Sequence, residues 1–460
     1  MTKYLVPMFS LSAPLLVSGC TATTEDSAEP VAIPWDRGLP DLAQQIAPDG
    51  FQWARSIVHL HSPWSHDACD GAHDDGDPID DCLADFREAI CATRLDVVFV
   101  TDHPDFAAFE EMRDLLWFQE GDELVLKQGE PIANRMTCPN GHRPLYMTGF
   151  EDQLMPVGIE RHASDDIEER HALYNDMSPE AVQAMVAMGS VVLVAHTEQR
   201  DFESLAPLAE HGLAGVELFN LHAMVDPNIR PDFLGLDGTD WLKAAKPFTS
   251  QEGDAEPDLM FLSFYQEQKV SIDLWDALSA AGPTVGVAGT DAHQNVLNLP
   301  MRDGERLDSY RRMIRWFSNW LLVEGSEPED AKKALSAGRN FAVFEALGTP
   351  AGLDVHAMAG GERIEIGSNL PIGSTLEIKC PTLSAASPQS LQAPEISARL
   401  LKDGEVFAQG CGSHTLGEPG VYRVVFDITP LHLRDFLGQD AETYMQPTPW
   451  IYANPFRVQP

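Results

Sequence analysis

From about residue 51 the chain alternates between short apolar runs and longer amphipathic stretches. The runs at 56–61, 96–101, 147–151, 191–196, 215–219 and 284–289 have the length of strands buried on both faces. Between them, 83–94 carries apolar residues at helical spacing. Ser178-Pro179-Glu180 reads as a helix start, with a capping hydroxyl, a proline in the first turn and an acid facing the helix dipole. Further helices are predicted over 307–322 and 327–337, the second stopped by Gly338. Strand–helix repetition predicts an α/β fold with parallel strands covered by helices. After about Gly348 the helical period stops. Short alternating runs at 376–379, 396–401, 406–408 and 421–428, with a turn at Lys402-Asp403-Gly404, predict an antiparallel β-sandwich of about a hundred residues.

Several of the apolar runs end in a histidine or an acid. These ends are His59-Leu60-His61, Thr101-Asp102-His103, Ala195-His196 and Thr290-Asp291-Ala292-His293, and Gly149-Phe150-Glu151 adds a carboxylate in the same way. In a β/α barrel the C-terminal ends of the strands carry the chemistry. An open doubly wound sheet does the same and stays as the alternative. His59 and His61 are two apart, so plain strand alternation points both rings the same way. One buried histidine is commonly just a satisfied core residue, but several close together need something to coordinate or bond them. Ser62 and Ser65 read as turn residues and hydrogen-bonding support, and Asp102 as a group that orients an imidazole. Asn220 and His222 follow a strand and could line the mouth of a site or be ordinary loop polarity.

On these residues the chain resembles the PHP (polymerase and histidinol phosphatase) family of metal-dependent phosphoesterases, over roughly residues 51–345. The matching stretches, in order, are His59-Leu60-His61-Ser62 with Ser65, Val100-Thr101-Asp102-His103, Gly149-Phe150-Glu151, Val194-Ala195-His196 and Gly289-Thr290-Asp291-Ala292-His293. The resemblance implies a distorted (β/α)7 barrel. It also implies a ligand set: His59, His61, Glu151 and Asp291 for a first ion, Glu151 bridging to a second ion on His196, and His66, His103 and His293 for a third. Glu151, Asp291 and His196 would be catalytic. His66 stands where the family often has an aspartate, with Asp67 beside it; both can ligate metals. The family's further histidine after the bridging glutamate is missing from Glu151-Asp152-Gln153-Leu154-Met155. His162 is the nearest downstream candidate, and Arg161 beside it could bind a substrate anion.

Two or three divalent ions are therefore expected: zinc suits the histidines, and the oxygen ligands admit manganese or iron. The implied reaction is hydrolysis of a small-molecule phosphoester by a hydroxide bridging the ions. Gly338-Arg339-Asn340-Phe341 resembles the branch of the family that includes carbamate ester hydrolases, so a carboxyl or carbamate ester is the alternative substrate. A surface binding lipoprotein with structural metals is the alternative of another class. Gly420-Val421-Tyr422-Arg423 and Trp450-Ile451-Tyr452-Ala453-Asn454-Pro455 look like signatures of secreted members, with aromatics that read first as core.

Charge and cysteine usage narrow the setting. The 460 residues carry 71 acids against 31 bases, a net charge of −40, which argues against nucleic acid or anionic lipid held by a basic face. Lys3 precedes an apolar stretch from residue 5 to 17, broken by Pro7 and Pro14 and too short to span a bilayer. It ends in Val17-Ser18-Gly19-Cys20, which resembles a lipobox, so residues 1–19 are expected to be a lipoprotein signal peptide and Cys20 the lipidated residue. An ordinary secretory signal is the alternative. Thr21, where an aspartate would retain the protein in the inner membrane, points by the same resemblance to a lipid-anchored, outer-membrane or periplasm-facing protein of the cell envelope. Residues 20–50 read as a flexible linker, 51–347 as the barrel and 348–460 as the sandwich.

The cysteines other than Cys20 are Cys69, Cys82, Cys91, Cys138, Cys380 and Cys411, an even set that reads as disulfides outside the cytoplasm. Cys380 and Cys411 are expected to pair. The other four allow three pairings, of which we favour Cys69–Cys82 with Cys91–Cys138. Asp67, Asp70, Asp74, Asp75, Asp77, Asp80 and Asp81 crowd one loop, which reads as a solvated loop closed by Cys69 and Cys82 before a calcium site.

Overall fold

The computed structural model describes residues 32–71, 73–74, 77–78 and 80–459. The expected signal peptide, Cys20 and the first part of the linker lie outside the described residues, as do the side chains of Asp74, Asp75, Asp77 and Asp80. The expected linker does not run free to residue 50. Ile33 pairs with Gln389, the Trp35 ring meets Phe436 at 5.4 Å, and Leu39 and Leu42 are buried. This apolar surface gains by burial, and the polar composition before it masks the signal.

The strands are β1 (Gln52–Leu60), β2 (Val97–Val100), β3 (Leu145–Met147), β4 (Met155–Val157), β5 (Val191–Val194), β6 (Leu213–Asn220), β7 (Val285–Ala292), β8 (Ser318–Val323) and β9 (Asn340–Val343). Pairing runs β3–β2–β1–β7–β6–β5, every neighbour parallel, and β4 joins β5 antiparallel. This is a mixed sheet in an α/β protein, with no barrel closed by continuous pairing among the described residues. The two ends meet at one isolated bridge, Gly149 to Val157. Glycine is needed there, because a Cβ on Gly149 would lie 2.2 Å from the Pro156 carbonyl oxygen. Helices that cover or flank this sheet include α1 (Asp80–Ala92), α2 (Pro179–Ala187), α3 (Phe202–Ala209), α4 (Lys269–Ala281), α5 (Tyr310–Trp316) and α6 (Pro328–Ser336), the last within the helix expected over 327–337.

The expected helix over 307–322 is corrected. Only α5 is helical, and Phe317 turns extended before β8. Every residue of β8 is buried, so the run Ser318–Val323 has no polar face to mark a period. β8 pairs antiparallel with the first half of β1, while the second half of β1 pairs with β7. The sheet forks there, and three buried asparagine side chains satisfy the exposed edge of β7 as a strand would. Asn319 exchanges both amide bonds with Ala288 at 3.0 and 2.9 Å. Asn340 and Asn454 do the same for Gly286.

After β9 come β10 (Asp354–Ala359), β11 (Glu362–Glu365), β12 (Ser374–Lys379), β13 (Glu395–Lys402), β14 (Glu405–Gln409), β15 (Gly412–Leu416), β16 (Gly420–Thr429), β17 (Thr448–Ala453) and β18 (Phe456–Gln459). One antiparallel sheet runs β11–β10–β12–β15. The other runs β14–β13–β16–β17, and β17 pairs with β9, so it continues the main sheet. Apolar residues of both sheets join one core with the α/β part. Trp450 and Tyr452 lie in it, buried, with the Trp450 Nε1 donating to the Gly348 carbonyl at 2.8 Å. Cys69 and Cys82, Cys91 and Cys138, and Cys380 and Cys411 lie at bonding distance, with Cα separations of 6.1, 5.6 and 5.5 Å. No helix of the described residues is long and apolar enough to cross a membrane.

Candidate metal centre

The C-terminal ends of β1, β2, β5 and β7 and the turn after β3 converge. His59, His196 and Asp291 sit there with φ of 60°, 51° and 51°. Such left-handed backbone costs a residue with a side chain about 1–3 kcal/mol, and it persists where the surroundings enforce it, often at functional sites. His59 lies in a bulge: the register of β1 shifts between Val58 and Leu60. Its ring and that of His61 therefore meet through a bulge, at 5.4 Å between centroids, and not through plain alternation.

Three overlapping groups offer one ligand atom per residue, all within 4.8 Å of one another: His59, His61 and Glu151; His59, His196 and Asp291; and His61, Asp67, His103 and His293. Asp291 lies 3.3 Å from His59 Nε2 and 3.5 Å from His61 Nε2. His196 Nε2 is 3.4 Å from Glu151. Among the described residues the buried Nε2 atoms of His59, His61 and His293 make no well-aligned hydrogen bond, although Asp291 and Asp67 stand 3.3 and 3.2 Å from the first and the last. Buried polar atoms left bare in this way are costly, and imidazole nitrogens beside carboxylates are the donor set that divalent cations of intermediate softness take.

The expected third group held His66, and the structure seats Asp67 there instead. His66 is exposed, with its ring 5.3 Å from that of His103. Ser65 Oγ donates to Asp67 Oδ1 at 2.9 Å, which turns the carboxylate inward to 3.2 Å from His293 Nε2. His222, half exposed, reaches Asp291 with Nδ1 at 3.1 Å. Asn220 caps the helix after β6 and donates to Glu217. Arg161 and His162 stand outside all three groups. Arg161 donates to the Ala187 carbonyl, and His162 is held by Tyr174 Oη and the Glu110 carbonyl. Among the described residues Asp102 hydrogen-bonds no imidazole. It accepts from the Ser62 backbone and hydroxyl at 2.6 and 2.7 Å, which fixes the turn after His61. Among the other loop acids, Asp70 pairs with Arg306.

Two acids went unnoticed in the sequence. Glu217, on β6 and buried, accepts from His59 Nδ1 at 2.6 Å, the His196 backbone at 2.9 Å and Asn220 Nδ2 at 3.0 Å. It fixes the His59 ring so that Nε2 faces the centre. The signal was there: Glu217 is an acid inside an otherwise apolar strand. Gly289 makes its room, since a Cβ there would lie 1.7 Å from Glu217 Oε1. Glu198, also buried, stands 3.6 Å from His196 Nδ1.

The electrostatics follow from crowding acids and imidazoles in a dry site. Burial opposes charge on His59, but Asp291 and Glu217 outweigh it and push its pKa up to about 10. His103, against the same burial, is pushed up to about 11 by Asp67 and Glu151. His196 is raised by Glu151 and Glu198 over the effect of burial, and His222 by Asp291. His61 goes well below its usual value, through burial and then the neighbouring His293 and His103. Burial opposes ionisation of Asp67, Glu151 and Asp291, yet hydrogen bonds and charge from the imidazoles hold all three below the usual carboxylate range. Burial lifts Asp102 to about 6. Cations would thus meet ionised carboxylates and would displace protons from His59 and His103.

No protein-family model matches the chain, and no curated protein sequence matches it. The crystal structure of a two-domain protein containing a predicted PHP-like metal-dependent phosphoesterase, from Bacteroides vulgatus ATCC 8482, is similar over 89% of this chain and 98% of its own, at 12% identity and a TM-score of 0.36. The chain itself presents a mixed α/β fold in which strand ends gather His, Asp and Glu groups that could hold metal ions.

Proposed function

We propose that the protein is a metal-dependent hydrolase of the PHP type, acting first on phosphoesters of small molecules. One observation carries this reading: three buried imidazole nitrogens, on His59, His61 and His293, make no well-aligned hydrogen bond among the described residues and lie among ionised carboxylates at the ends of parallel strands. Divalent ions held there would acidify a water and neutralise charge developing on substrate oxygens. The chain's own work is to hold and aim. His59, His61, His196, Glu151 and Asp291 form the inner wall, with Glu151 and Asp291 each close to more than one imidazole. Asp67, His103 and His293 extend the wall to one side. Glu217 keeps the proton of His59 on Nδ1, and the Asp102–Ser62 pair fixes the turn. Burial of His59, His61, Glu151, Asp291 and His293 keeps bulk water off that part of the wall and strengthens its fields.

In the same reading the seven strands β1–β7 make a distorted barrel, which the Gly149–Val157 bridge supports. Residues 51–347 are the catalytic part and 348–460 its β-sandwich. The three cysteine pairs support a place outside the cytoplasm, with Cys20 as lipid anchor. Phosphoesters come first because a site with several ions suits displacement at phosphorus. Gly338-Arg339-Asn340-Phe341, which suggested carbamate esters, stands beside Gly286, at the other end of β7 from Asp291. The test is to assay metal-loaded protein on phosphomonoester, phosphodiester and aryl ester panels. Hydrolysis of a phosphoester panel is expected; turnover of aryl esters alone would reject the phosphoesterase reading.

A further inference from the structure

We propose that the Cys69–Cys82 disulfide is a positioning device for Asp67, so that one ion of the centre is held only while the disulfide is intact. The inference rests on the metal-centre reading above and concerns the group His61, Asp67, His103 and His293. Three of those residues stand on or just past strands. Asp67 alone comes from a loop, a series of turns in which the Ser65 N–H donates to the Ser62 carbonyl and the Ala68 N–H to the Ser65 carbonyl, each at 3.0 Å, with no strand to hold it.

Its conformation is a costly one. Cys69 and Asp70 are consecutive residues with φ of 56° and 60°, a region that residues with a Cβ avoid. Outside contacts enforce it. The Cys69 backbone N–H donates to the His293 carbonyl at 2.9 Å, which ties the residue two positions after Asp67 to another residue of the same group. Asn295 Nδ2 donates to the Asp67 carbonyl at 2.8 Å, and Arg306 grips Asp70 with two bonds of 2.7 and 3.0 Å. The covalent tie is the disulfide to Cys82 on α1, a buried residue packed in the main core. Gln294, next to His293, donates to Asp85 on the same helix at 3.1 Å. Helix α1 thus anchors both the loop that carries Asp67 and the strand end that carries His293. Of the other contacts, the Asn295 and Arg306 bonds lie at an exposed surface, where water competes, and the buried Cys69–His293 bond is not covalent. The disulfide does not have that weakness.

Reduction by a dithiol would transfer two electrons and two protons to the bridge and leave the thiols of Cys69 and Cys82, with the reductant closed to its own disulfide. The strained turn could then relax and Asp67 would leave His293. His59, Glu151, His196 and Asp291 would keep their places, because their hydrogen bonds and ion pairs come from outside the loop; His61 touches the loop through Ser65 Oγ, 3.4 Å from Nδ1, but its backbone donates to the Ala292 carbonyl at 3.2 Å, which holds it to β7.

The experiment measures metal content per chain by elemental analysis for wild type, Asp67→Asn, the double variant Cys69→Ser/Cys82→Ser, and the combination of all three. The double variant Cys380→Ser/Cys411→Ser, in the C-terminal sheets, is the control. Circular dichroism and the thermal midpoint report folding. Asp67→Asn and Cys69→Ser/Cys82→Ser are each expected to lose the same single equivalent. The combination should lose no more than either, and the control should keep full content. Full metal content in Cys69→Ser/Cys82→Ser, while Asp67→Asn loses an equivalent, overturns the clamp. Full content in Asp67→Asn overturns the metal reading of this group instead. If the cysteine variant does not fold, dithiol treatment of the folded wild type replaces it: release of one equivalent with the circular dichroism unchanged supports the clamp, and retention of all metal refutes it.

Discussion

Replacing Glu217 by glutamine alters a single atom of a side chain that is 1% exposed, and the geometry says what that atom is worth. Three donors meet two oxygens: His59 Nδ1 on Oε1, and the His196 backbone and Asn220 Nδ2 on Oε2. Glutamine offers one oxygen and one NH2. If the oxygen stays with His196 and Asn220, the NH2 faces His59, whose proton must move from Nδ1 to Nε2. Nε2 lies 3.3 Å from Asp291, and once protonated it has no lone pair for a cation. If the oxygen turns to His59, two buried donors lose their acceptor, at about 1–3 kcal/mol each. The first orientation weakens metal binding, and the second weakens the fold. Removing a second-sphere partner of this kind typically costs 10–100-fold in metal affinity. The assay is competition with a chromophoric chelator, beside urea unfolding of metal-free protein. Glu217→Gln is expected to bind metal roughly 10–100-fold more weakly or to unfold about 2 kcal/mol earlier. If affinity and metal-free stability both match wild type, the positioning role of Glu217 is wrong.

Gly289→Ala attacks the same carboxylate by volume, since the new Cβ would sit 1.7 Å from Glu217 Oε1 and 2.5 Å from its Cδ. Metal affinity at least as poor as that of Glu217→Gln is expected in the same competition assay, and wild-type affinity would contradict the packing. Chelation should lower the calorimetric unfolding midpoint reversibly, because an ion at a hundredfold excess over its Kd stabilises the folded state by about 2.7 kcal/mol; an unchanged midpoint would count against bound metal. A pH test lies away from the centre, at His432, which is fully buried. Burial lowers its pKa from 6.5 to about 3. The unfolded chain takes up the proton first on acidification. The stability from the neutral ring is therefore complete above pH 6.5 and falls by ~1.4 kcal/mol per pH unit as pH drops toward 3. Urea midpoints between pH 7 and 4 should fall more steeply for wild type than for His432→Leu, and parallel curves would refute the assignment.

Much of the candidate centre was legible because apolar strand segments lead into a histidine or an acid, as at Val191–Val194 before His196 and at the start of Val285–Ala292 before Asp291 and His293. What could not be read depends on three-dimensional detail. Whether His66 or Asp67 turns inward is set by the Ser65 hydroxyl and the Cys69 turn, not by spacing. Glu217 hid inside a strand, where an acid draws notice only once its donors are known. The helix expected over 307–322 fails at Ser318–Val323, because residues buried on both faces leave no period to separate strand from helix. The forked sheet was invisible too: nothing in a sequence marks Asn319, Asn340 and Asn454 as stand-ins for a strand. Trp35, Leu39 and Leu42 did carry a signal of packing, lost in the polar stretch around them.

The most direct measurement is anomalous diffraction from a crystal of protein purified without added metal, with an X-ray fluorescence scan to identify the element. We expect anomalous peaks enclosed by His59, His61, Glu151, His196 and Asp291, and a further one among Asp67, His103 and His293. A well-ordered centre whose imidazoles contact only water and one another, in a crystal grown with zinc, manganese and iron each supplied, would contradict the metal assignment.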